Sequence, residues 1–166
     1  MALEYALHAR TMADYNGWMN EKLYACAAQL TDAERKRDRK AFFQSIHGIL
    51  NHILVGDRLW FGRFTAEPFG VASLNTELYG DFDELTRQRA LTDAAIIAWV
   101  ATLDDAKLGA DLIYNTMVNP QQRRTPLWFV VTHFFNHQTH HRGQLTTLLS
   151  QAGVDPGVTD LLWLPR

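Results

Sequence analysis

Apolar residues recur at helical spacing in four stretches of the chain, and the segments between them carry turn signals. The first stretch spans Glu4 to Gln29, where Leu7, Met12, Trp18, Met19, Leu23 and Tyr24 broadly follow a 3.6-residue period. The second runs from about Ala41 to Phe64. Its inward stripe is Phe42, Ile46, Ile49, Ile53, Gly56, Trp60 and Phe64, and Glu67-Pro68-Phe69-Gly70 stops it. The third, from Phe82 or Asp83 to Leu103, has Leu85, Ile96, Ile97, Trp99 and Val100 as its apolar positions. The fourth opens at Pro126, whose missing N–H does no harm in a first helical turn, and runs to Gln151 before Gly153.

The connections are less regular. Thr31-Asp32-Ala33-Glu34 resembles a capping box, although the charged run through Lys40 reads as a solvated connection. Leu112-Ile113-Tyr114 and Thr116-Met117-Val118, ahead of Asn119-Pro120, point to a short hairpin or an extended excursion. Four amphipathic helices predict an all-α fold: a four-helix bundle with long crossover connections and that hairpin before the last helix. The tail from Val154 to Arg166 contains Leu161-Leu162-Trp163-Leu164, too apolar to stay in water, and should pack on the body or on a second subunit.

Composition narrows the function classes. With 166 residues, 47% of them hydrophobic and 20% charged, the chain reads as one globular domain over residues 1–166. A net charge of −2 gives no long-range attraction to a nucleic-acid backbone. Arg35-Lys36-Arg37 is interleaved with Glu34 and Asp38 and reads as solvated surface. The single cysteine, Cys26, allows no internal disulfide, and its Ala-Cys-Ala-Ala setting reads as buried filler. The first eighteen residues lack the basic-then-apolar layout of a signal peptide, and no stretch approaches the ~20 apolar residues of a membrane span, so the expected compartment is the cytoplasm. There is no Gly-rich phosphate loop, no GxSxG and no HExxH. Trp18, Trp60, Trp99 and Trp128 read as core.

The candidate chemistry lies in the histidines. There are seven, and His133, His137, His140 and His141 fall within one short stretch. Helical residues advance by about 100° each, so spacing alone places each one on the wheel. On the fourth helix, Val130, Phe134, Leu145 and Leu148 define an apolar sector centred about 85° round from His133. His141 lands near that centre and His137 about 45° off it, whereas His133 and His140 lie at or beyond the edge. His137 and His141 are also four apart, so one helix can offer both rings to one ion, with Gln144 a turn further along. On the second helix, His52 sits about 90° from the centre of the stripe, at its flank, and His47 about 130° away, toward solvent. His8 has no such support. Spacing alone leaves two readings open: a metal site, or ordinary hydrogen-bonded histidines.

At His133-Phe-Phe-Asn-His-Gln-Thr-His-His-Arg-Gly-Gln144 the sequence resembles the DinB family of small metal-binding helical bundles. Ser45-Ile-His-Gly-Ile-Leu-Asn-His-Ile-Leu-Val-Gly-Asp-Arg-Leu-Trp60, the Asn16-Gly-Trp18 region and Gln151-Ala-Gly-Val-Asp-Pro156 extend the resemblance along essentially the whole chain. It implies a crossed four-helix bundle, a homodimer and a three-histidine site formed by His52, His137 and His141, the same three that the wheel favours. Such a site would hold one divalent metal ion, zinc or nickel, with an open position. Related branches include thiol-dependent transferases and isomerases, so the expected partners are a low-molecular-weight thiol and an electrophilic small molecule. Metal-dependent hydrolysis and a non-enzymatic role as a metal-binding stress protein or small-molecule binding module are the alternatives. Charge disfavours a DNA-associated role. Asp57 is five residues from His52 and Asn136 adjoins His137, but spacing places neither beside a ligand, and no catalytic side chain is assigned.

Overall fold

The computed structural model describes residues 4–117 and 120–165. Met1-Ala2-Leu3, Val118 and Asn119 at the expected hairpin turn, and Arg166 at the end of the tail lie outside the described residues. The elements are α1 (Tyr5–Ala28), α2 (Asp32–Lys36), α3 (Ile46–Thr65), α4 (Phe82–Ala101), α5 (Asp105–Gly109), β1 (Asp111–Asn115), β2 (Gln122–Pro126), α6 (Leu127–Gln151) and a 3-10 turn at Leu161–Trp163. The protein is mostly helical, with one small antiparallel sheet in which Asp111 faces Pro126 and Asn115 faces Gln122. The four long helices pack α1 on α4 and α6, and α3 on α4 and α6.

Local chemistry explains the boundaries. The side chains of Thr31, Ser45, Asp81 and Asp104 each accept a hydrogen bond from a backbone N–H three residues on, starting α2, α3, α4 and α5. The charged connection therefore folds into the short helix α2. Ser45 also explains why α3 begins later than the apolar pattern predicts. Lys40 and Gln44 both adopt positive φ, at 57° and 64°, and close a tight turn. Phe42 at its tip is 80% exposed and contributes nothing to the inward stripe. At the other end of α3, Ala66 takes a left-handed conformation and ends the helix ahead of Pro68.

The core divides into two apolar clusters separated by a polar belt. One cluster joins Met19 and Leu23 of α1, Ile49 and Leu54 of α3, Leu85 of α4, and Leu145 and Leu149 of α6. The other joins Ala6, Ala9 and Ala13 of α1, Ile96 and Val100 of α4, and Val131, Phe134 and Phe135 of α6. Between them along each helix lie buried polar residues: Asn16 and Asn20 on α1, Asp57 on α3, Arg89 and Asp93 on α4, Gln138 and Arg142 on α6. Leu7 and Ile97, apolar positions of the first and third patterns, are exposed. Trp18, Trp60 and Trp99 pack at the margin of the clusters and Trp128 is 37% exposed, so none of the four is a fully buried core residue. Cys26 is buried, as its small neighbours suggest. Leu164 packs on the first cluster, but Leu162 and Trp163 are 87% and 67% exposed.

Candidate metal centre

The rings of His52 on α3 and of His137 and His141 on α6 converge on one point. The Nε2 atoms of His52 and His141 are 3.1 Å apart, as are those of His141 and His137. One ring nitrogen from each of the three lies within 4.8 Å of the others. Nitrogen ligands about 2.0–2.1 Å from a tetrahedral zinc would be roughly 3.3–3.4 Å apart, so the spacing is close to a coordination shell. The arrangement brings together the three histidines singled out from the sequence.

The outer ring nitrogens fix the tautomers. His52 Nδ1–H donates to the carbonyl of Leu74 at 2.9 Å, and His141 Nδ1–H donates to Gln144 Oε1 at 3.0 Å. Both acceptors require the proton on Nδ1, so each Nε2 presents a bare lone pair inward. Two bare lone pairs 3.1 Å apart repel each other unless a cation lies between them. The Gln144 amide is itself oriented, since its Nε2–H lies 3.3 Å from His140 Nε2. Phe43 stacks on His52 at 3.7 Å between ring centroids and meets His141 edge-on, shielding that side of the centre. Gly56 faces the third ring: a Cβ there would lie 3.0 Å from His137 Cε1.

Electrostatics keep the rings neutral. Burial pushes the His137 pKa down to about 3, helped by the neighbouring imidazoles of His141 and His52. Burial also lowers His52, opposed by the Leu74 carbonyl, and lowers His141, opposed by Gln144. All three are therefore in the form that binds a metal at neutral pH.

The other histidines fall elsewhere. His47, which the wheel turned toward solvent, is 1% exposed, and its Nε2 lies 2.9 Å from the Tyr79 carbonyl. The loop between α3 and α4 covers that face, held by Asn51 Oδ1, which accepts from the backbone N–H groups of Leu78 and Tyr79. His133 and His140 are exposed at the rim and His8 lies away on α1. Neither Asp57 nor Asn136 hydrogen-bonds a ligand histidine; Leu74 and Gln144 do that instead. Asp57 belongs to the buried belt, accepting from Arg89 Nη1 at 2.5 Å and from Gln138 Nε2 at 2.7 Å. Arg89 also pairs with Asp93 at 2.7 Å, Asp93 accepts from Asn16 and Asn20, and Arg142 donates to Asn16. Burial alone would lower the Arg89 pKa, but the Asp93 and Asp57 carboxylates outweigh it and hold the guanidinium charged. The belt links α1, α3, α4 and α6 beside the centre, with Gln138 directly following His137.

A mostly helical chain presents three neutral imidazoles to one point, and that triad could hold a metal ion. The chain matches the DinB family over residues 5–166 and belongs to that family. It is 24% identical over 150 residues to Protein DinB of Bacillus subtilis (strain 168), spanning 89% of this chain and 87% of that protein. Its fold is similar to the crystal structure of a DinB-like protein from Bacillus cereus ATCC 10987, with a TM-score of 0.62 and 20% identity over 84% of this chain and 90% of that one.

Proposed function

We propose that His52, His137 and His141 hold one divalent ion, zinc or nickel, in a centre that activates a low-molecular-weight thiol for transfer to an electrophilic small molecule. The observation that carries the metal reading is the pair of bare Nε2 lone pairs facing each other at 3.1 Å. With three protein ligands a coordination position stays open, and a thiol there would lose its proton near neutral pH. The chain's own residues prepare this position. Leu74 and Gln144 lock two ring orientations, Gly56 leaves room for the third, and Phe43 keeps water from one side. Support for thiol transfer in particular is family resemblance; water at the same position would give hydrolysis instead.

We read the four long helices as one four-helix bundle, and the exposed Leu162 and Trp163 as part of a surface that pairs with a second copy. Among the described residues, no helix is long and apolar enough to cross a membrane.

The test is product formation by apo and metal-loaded protein, with and without added thiol, against a panel of electrophiles and esters. Thiol-saturable turnover that disappears on chelation and returns with metal supports transfer. Thiol-independent ester cleavage by loaded protein replaces transfer with hydrolysis. Equal turnover in apo and loaded protein refutes both, and inactivity across the panel leaves a non-enzymatic metal-binding protein.

A further inference from the structure

A cavity of about 310 Å³ opens directly onto the triad, lined by His52 and His137 together with Trp60, Arg63, Tyr114 and His133. Its charge balance is one-sided. None of its lining residues is acidic. Arg63 lies with its guanidinium 4.3 Å from the Trp60 ring centroid and 5.3 Å from that of Tyr114. These two rings hold the side chain in place while leaving the N–H fork without a hydrogen bond or ion pair to any other described residue. The nearby buried carboxylate, Asp57, is already engaged by Arg89 and Gln138. Three neutral imidazoles would leave the charge of a dication uncompensated, and Arg63 adds another positive charge to the same small space.

We infer that the small-molecule ligand of this centre carries a carboxylate, which pairs with Arg63 while the ligand's other end reaches the open coordination position. This deepens the proposed function and rests on its metal reading. One guanidinium presents a planar fork that matches a carboxylate bidentately, and the contacts with Trp60 and Tyr114, two rings that themselves meet edge-on at 5.2 Å, hold it ready, so little freedom is lost on binding. An edge-on contact with Trp60 positions His133 as well, with ring centroids 5.3 Å apart. Its ring lines the same cavity and can offer a hydrogen bond to the anion. Tyr114 reaches the cavity from β1 and supports the guanidinium with its ring. The size of the cavity, at the low end of small-molecule sites, suits a compact organic acid rather than a polymer.

The experiment uses the full chain loaded with cobalt(II), whose visible bands report the coordination shell and whose near-ultraviolet sulfur-to-metal charge-transfer band reports a bound thiolate. ω-Mercaptocarboxylates from mercaptoacetate to 6-mercaptohexanoate are titrated against neutral mercaptoalcohols of matching length. At one chain length the carboxylate should bind at least about tenfold more tightly, the ratio expected of one charge-assisted pair at a half-buried site. Arg63→Gln should abolish that preference while leaving cobalt uptake and mercaptoalcohol affinity as in the wild type, and Arg63→Lys should retain part of it. Normal cobalt bands with no preference at any length, or a preference that survives in Arg63→Gln, overturn the inference and spare the metal reading. Absence of cobalt bands in the wild type defeats the metal reading and takes the inference with it.

Discussion

Replacing Gly56 with alanine isolates the geometry of the centre from the identity of its ligands. The new Cβ would lie 3.0 Å from His137 Cε1 and 3.5 Å from its Nδ1. Carbon atoms prefer separations of about 3.5–4.0 Å, so the ring must retreat by roughly half an ångström. Ligand distances tolerate about ±0.2 Å, so His137 Nε2 would leave its coordinating position. Disturbing the residues that orient a ligand typically lowers metal affinity by about 10–100-fold, and the same range is expected here. Apoprotein stability should move in the other direction or stay level. Alanine gains about 0.8–1 kcal/mol over glycine in a helix interior, and the ring can yield into the adjoining cavity. Competition for zinc against a chromophoric chelator measures the first effect, and thermal melting in EDTA measures the second. Gly143→Ala is the control: beyond its chain neighbours and its own helix backbone, a Cβ there meets no heavy atom within 4 Å, so it should add stability and leave affinity alone. Wild-type zinc affinity in Gly56→Ala, or an equal loss in Gly143→Ala, would refute the reasoning.

Three more outcomes are expected. His52→Ala, His137→Ala and His141→Ala should each weaken metal binding severely, whereas His133→Ala and His140→Ala should not; His47→Ala should instead lower stability by about 1–3 kcal/mol, since it strips a buried hydrogen bond from the Tyr79 carbonyl. Chelator competition and denaturant melts separate the two classes. Arg89→Met should destabilise the fold by about 3–5 kcal/mol by leaving Asp57 and Asp93 buried without their counter-charge, and an unchanged urea midpoint would contradict that reading of the belt. In the absence of metal, the unfolded chain takes up imidazole protons below about pH 6.5 that the folded chain refuses, so apoprotein stability should fall as pH drops from there toward about 3, the folded value for His137. Urea titrations across that window check it, and a flat profile would show that these rings are not depressed.

The wheel succeeded on α6 because α1 and α3 both pack against it, so the apolar sector marks the interior faithfully. It failed at His47 because it treats everything outside the stripe as solvent, and a loop covers that face of α3. Phe43 escaped notice for a related reason. Its place over His52 depends on a turn made by Lys40 and Gln44 in positive φ, residue types that carry no glycine-like signal. The buried belt was hidden because charged residues within a helical pattern read as surface. A trace of it was available: Asn16 and Asn20 are four apart on the inward side of α1, and Arg89 and Asp93 are four apart on α4, spacings that suit polar groups sharing partners. Leu74 left no trace, because it acts through its backbone.

That backbone contact changes what can vary around the centre. A carbonyl is present whatever side chain occupies position 74, so no ordinary substitution there deletes the acceptor for His52 Nδ1–H. What can delete it is a change in the number of residues between Ala66 and Asp81, which would carry the carbonyl off its line with the ring and free the imidazole to turn over. Selection on this stretch would therefore fall on its length and path rather than on its letters. Relatives could diverge freely in spelling here while conserving the span, and a graft of the loop from one relative to another would carry the ring's orientation with it.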